Sequence, residues 1–166
     1  MLKQLPARKV KGVTRLPEAI KNRYLDLLGS IYIYNEHRGY TALDRVIEAA
    51  RARDPDNHEF LGAIAKHRAD ERKHYEMFKR WFELRGIMPY EIGRAYGHID
   101  RFIEIIFGKT IDNLDTRAVI ASDDLFEKLA RIISLTEKRG FRQVAILLRS
   151  PVVRSDTTLT RIFTII

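Results

Sequence analysis

Apolar residues in this chain recur at steps of three and four, and alternating runs are scarce, which predicts helices with little or no strand. The first helix is predicted over 18–53, with Pro17 at its start and Asp54-Pro55-Asp56-Asn57 as the break after it. Asn57 or Asp56 can cap a second helix, over 57–85, that stops at Gly86. Residues 87–117 read as a long connection holding a shorter helix over 92–107. A third long helix is predicted over 122–148 and ends at Ser150-Pro151; a fourth, over 155–166, is capped by Ser155 or Asp156. Two short turns and one long crossover describe an all-α four-helix bundle whose fourth helix is truncated.

The first and third long helices carry related text. Glu36-His37-Arg38-Gly39-Tyr40 recurs as Glu137-Lys138-Arg139-Gly140-Phe141, an offset of 101 residues. Apolar pairs share that offset: Leu25 with Phe126, Leu28 with Leu129, Ile31 with Ile132, Leu43 with Val144 and Val46 with Leu147. Each segment is therefore an amphipathic helix with a glutamate on or beside its apolar stripe. An ionised carboxylate in such a place is costly unless it is paired or bound to a metal. Two such glutamates at matching positions predict one shared site with pseudo-twofold symmetry.

The second helix adds the chemistry. Its inward stripe is Phe60, Ile64, His67, Glu71, His74, Phe78 and Trp81, apolar at both ends and polar in the middle. Glu71 and His74 form Glu-x-x-His, which puts a carboxylate and an imidazole one turn apart on one face, within reach of one ion. Alone that spacing is common. Beside Glu36 and Glu137 it becomes a candidate metal site of Glu36, Glu71, His74 and Glu137.

With these residues the sequence resembles the ferritin-like superfamily, and its rubrerythrin-like branch more than the storage ferritins, over roughly residues 18–166. The resemblance implies a non-haem di-iron carboxylate protein, with iron oxidised by dioxygen or peroxide and zinc or manganese as possible substitutes. Glu36 and Glu137 would be first- and third-helix ligands, Glu71 would bridge or chelate, and His74 would bind one ion. The family's fourth-helix Glu-x-x-His has no counterpart. After His98 there is no histidine, and after Glu137 the only acid is Asp156. Repeating the first-to-second-helix spacing places the missing ligands just past Ile166, so the expected site is weak or partial for two ions.

Other residues carry milder expectations. His67 is expected to hydrogen-bond a ligand or to pack as a core histidine, with direct ligation less favoured than either. Tyr32 and Tyr40 are possible second-shell donors, and Tyr34 and Tyr75 flank the same region, although tyrosines on helices more often pack with the hydroxyl at an edge. Glu104 is either an extra ligand or, by preference, an exposed residue. Gly39 and Gly140 are expected to let helices approach beside the glutamates.

Composition sets the outer limits. At 45% hydrophobic and 31% charged, the chain of 166 residues is a foldable domain of ordinary size. It has no apolar run long enough for a membrane span. Residues 1–17 hold five basic residues and no acid, and read as a basic N-terminal tail without a signal-peptide pattern. The chain has no cysteine, which excludes disulfides, thiol catalysis and a built-in rubredoxin-type centre. A peroxidase cycle would therefore need an external electron donor, and a cytoplasmic location is expected. The net charge of +8 is interleaved with acids along the chain, which favours solvated helix faces over nucleic-acid binding. The alternative to a redox protein is an inactive helical scaffold or anion-binding module. Because a short fourth helix would leave stripes through Phe60 and Ile64 or Phe78 and Trp81 facing water, a homodimer is expected.

Overall fold

The computed structural model describes residues 16–166 of the protein. Most of the tail read at 1–17 lies outside the described residues. Within them the protein is all-helical, with seven α-helices, two 3₁₀ turns and no strand. No described helix is long and apolar enough to cross a membrane.

Three long helices carry the structure: α1 (Glu18–Arg53), α2 (His58–Arg85) and α5 (Asp123–Leu147). Between α2 and α5 lie α3 (His98–Phe107) and α4 (Thr116–Ala121); after α5 come α6 (Pro151–Arg154) and α7 (Thr157–Ile165). Local chemistry sets the ends. The Asn57 side chain accepts from the Phe60 N–H at 3.2 Å to start α2, and Gly86 closes it in the left-handed conformation at φ 64°. Ser122 and Asp156 cap α5 and α7 in the same way.

Two hydrophobic clusters occupy the two ends of the molecule. One gathers Leu25 of α1, Phe78, Trp81 and Phe82 of α2, Val144 of α5, and Leu159, Ile162 and Phe163 of α7. The other gathers Val46, Ala49 and Ala50 of α1, Ile103 of α3, Val119 and Ile120 of α4, and Leu129 and Ile132 of α5, with Phe60 and Ile64 of α2 packed against it. The start of α1 thus meets the end of α5, and its end meets the start of α5, so these related helices run antiparallel. Leu25 and Val46 lie at opposite ends, as do Leu129 and Val144. That is what a pseudo-twofold pairing of the repeated segments requires.

Several expectations need correction. The helix read at 92–107 begins at His98, after a 3₁₀ turn at Arg94–Tyr96, because Gly93 and Gly97 both take extended conformations. The connection at 87–117 is more structured than expected and runs into a further helix. The Asp115 side chain accepts from the Ala118 N–H at 3.0 Å and starts α4. The fourth helix expected over 155–166 is present as the nine-residue α7 with Asp156 as its cap, and the single turn α6 before it is an addition. Of the stripes expected to face water, the one through Phe78 and Trp81 is covered and the one through Phe60 and Ile64 is partly covered. Phe78 is 0% and Trp81 2% exposed beneath α7, and the Phe60 ring sits edge-on against Phe126. The stripe through Phe78 and Trp81 therefore gives no ground for a homodimer.

Polar ties fix the connection to α1. Asp100, only 1% exposed, receives Nε and Nη2 of Arg38 and the Tyr34 hydroxyl, the last at 3.0 Å. Arg38 also reaches Asp112 at 2.8 Å, which holds the Asp112 carboxyl below its usual range. Burial and the Asp100 carboxylate push the Tyr34 hydroxyl up to about 12. Tyr34, read from the sequence as flanking the site, instead ties α1 to α3.

Candidate metal centre

The polar layer lies between the two clusters, where the mid-portions of α1, α2 and α5 face one another. Glu36, Glu71 and His74 offer ligand atoms within 4.8 Å of one another, and so do His67, Glu71 and Glu137. Glu71 belongs to both triads. All four residues expected from the sequence therefore come to one place, Glu36 and His74 in one triad with Glu71 and Glu137 in the other.

The unexpected participant is His67. One turn before Glu71 on α2, it puts Nε2 3.2 Å from Glu137 Oε1 and 3.6 Å from Glu71 Oε1. Those two carboxylates push its pKa up to about 10, against the opposing effect of burial. The signal was present in the spacing: His67, Glu71 and His74 step by four and three along one face. A second imidazole for the site thus comes from α2 itself.

Electrostatics separates the two triads. Glu36 is 8% exposed, and burial pushes its carboxyl up to about 7, partly offset by His74 and reinforced by the Glu71 charge. His74 loses charged-state stability to burial, but the adjacent Glu36 carboxylate lifts it above its ordinary value. Glu36 Oε2 and His74 Nδ1 lie 3.3 Å apart, yet they are not aligned as a hydrogen bond, and each is buried without a partner. Two orphaned buried polar atoms at one point are costly unless a third group satisfies both. A divalent cation does so, and the donor set of carboxylate oxygens and imidazole nitrogens suits iron, manganese or zinc. The residues present fit such an ion.

Packing explains one of the two repeated glycines. A Cβ on Gly39 would overlap the Glu71 carboxylate, so glycine at this point of α1 leaves room for Glu71 where it stands. Gly140 is different, since a Cβ there would meet no atom within 4 Å. It lines a cavity of about 160 Å³ that adjoins the cluster.

A comparison of the chain with protein-family models, with curated proteins and with solved structures returned no match in any of the three. The site is thus read from its geometry.

The remaining candidates fall outside it. Tyr40 is not beside the cluster; its ring packs edge-on against His37 and Tyr75, with the Arg68 guanidinium 5.5 Å from its centre. Glu104 pairs with Arg101 at 3.3 Å. Tyr32 does line the cavity, its ring stacked on Phe78 and edge-on to Phe163, with a hydroxyl that is buried and has no partner.

Proposed function

We propose that this protein binds two divalent metal ions in the layer between its two hydrophobic clusters, as a ferritin-like bundle of di-metal carboxylate type, with iron as the working metal. The single observation that carries this reading is the sharing of Glu71 between two triads, Glu36–Glu71–His74 and His67–Glu71–Glu137. The antiparallel run of the repeated helices α1 and α5 supports it, because each contributes its glutamate, Glu36 or Glu137, to a triad with the shared carboxylate.

Glu71 would bridge the two positions, Gly39 keeping room for its carboxylate. Glu36 and His74 would hold the buried ion, and Glu137 and His67 the more accessible one. Three carboxylates against two dications leave a small net positive charge, so ion binding removes the repulsion among three close acids. His67 gives up its proton when its nitrogen takes a ligand role, which makes binding at that position proton-releasing. Bound iron would supply one-electron redox chemistry toward dioxygen or peroxide. With no cysteine in the chain, reducing equivalents would come from an external donor.

Metal analysis of protein purified from iron-supplemented cells, with anaerobic iron(II) titration of the chelator-treated protein, tests the reading. About two ions per chain are expected, one for each triad. Absence of stoichiometric binding would leave the inactive scaffold as the better description.

A further inference from the structure

The cavity beside the cluster is larger than two ions require. Its volume of about 160 Å³ is enough for a benzene-sized molecule, which an engineered cavity of ~150 Å³ takes up, although this space is partly open and partly polar. Ile31, Leu43, Ile103, Leu129, Ile133 and Val144 contribute aliphatic wall from three helices. The polar cluster stands at one side, together with the Tyr32 hydroxyl, which is buried and lacks a hydrogen-bond partner. An apolar space that ends in an unsatisfied donor is shaped for a molecule with two unlike ends.

Gly140 points the same way. Glycine inside a helix is destabilising relative to alanine. At Gly39 it makes room for the Glu71 carboxylate, which occupies the place of a side chain. At Gly140 nothing lies within 4 Å of an added Cβ, and the position lines the cavity. The missing side chain there preserves open space and makes no helix contact.

We propose that this cavity binds a small molecule with an apolar body of about six carbons and one oxygen-bearing head, the head lying at the cluster beside the Tyr32 hydroxyl. That such a molecule is the substrate rests on the two-ion reading above. That the cavity accepts it rests on the geometry alone.

Phenol and benzene, titrated into the full chain with chelator and again after manganese(II) loading, are suitable probes, read by amide shifts of cavity residues. Both should bind the metal-free protein, phenol more tightly. Tyr32→Phe should reduce the preference for phenol by about tenfold, the worth of one hydrogen bond to a buried donor. Gly140→Leu and, as a second filler, Ile133→Phe should each weaken both probes at least about tenfold while thermal melting shows a folded protein. Failure of both probes to shift cavity residues, or unchanged binding in the folded filler variants, would overturn the proposal. Probe binding without manganese binding would retain the cavity assignment and end the two-ion reading; manganese binding without probe binding would do the reverse.

Discussion

The two triads share a carboxylate but live in different surroundings. Glu36 and His74 have side chains only 10% and 13% exposed, whereas Glu137 and His67 are 46% and 30% exposed. In the buried triad the ligand atoms approach one another without forming a hydrogen bond; in the open triad His67 already spans Glu71 and Glu137 like a stand-in cation. The difference teaches that matching sequence does not make matching sites. The repeated segments bring both Glu36 and Glu137 to the cavity wall, but the first is nearly buried while the second is close to half exposed.

The largest expected effect isolates the buried triad. Burial raises the Glu36 carboxyl from 4.5 to about 7, so its contribution to stability is fully present below about pH 4.5 and is lost as pH rises through about 7. In chelator, Glu36→Gln should remove this loss, worth on the order of 3 kcal/mol at the plateau above pH 8. Denaturant titrations of the variant and the parent at pH 5 and pH 8 should diverge by that amount. Equal slopes would mean that Glu36 is not buried as an acid.

A second effect joins the triads. Glu71→Ala should weaken cobalt(II) or manganese(II) binding at both positions, by about 100-fold or more, since loss even of an outer-shell partner costs 10–100-fold. Loss at one position only would show that Glu71 is not shared. Single substitutions then split the pair: His74→Ala should abolish the tighter step of the isotherm and His67→Ala the weaker one. Gly39→Ala should weaken both steps by about tenfold, because its methyl group displaces the Glu71 carboxylate. The smallest effect belongs to the other repeated glycine. Gly140→Ala should stabilise the fold by about 0.5–1 kcal/mol, visible as a rise in melting temperature.

How much of this was legible in the sequence depended on the kind of signal. Long helices announced themselves through periodicity and capping residues, because a stripe sustained over many turns outweighs local noise. The convergence of Glu36, Glu71, His74 and Glu137 could be read because helical spacing fixes which residues share a face. The short helix α4 was missed, since six residues give too few periods to register against Asp115 and Thr116, which read equally well as loop. The role of His67 is open in the sequence for another reason. Whether an inward histidine packs, supports or ligates depends on the reach of Glu137 from α5, a tertiary distance that no local pattern contains. The two glycines looked equivalent for the same reason; only the neighbour across the gap, a carboxylate at Gly39 and open space at Gly140, tells them apart.

At the far end of the molecule, Asp156 has more than one duty. One of its oxygens caps α7 by accepting from the Leu159 N–H at 2.8 Å, and the other takes the Trp81 indole at 3.1 Å and Arg85 at 3.2 Å. Arg85 in turn grips Asp26 of α1 at 2.6 Å. A nine-residue helix on its own would fray and re-form many times before the rest of the protein opened. Wired this way, α7 cannot lift without uncovering a tryptophan and stranding an arginine. Its amides should therefore exchange with solvent in step with the last turns of α2, as one cooperative unit, even though the two segments are separated by most of the remaining chain.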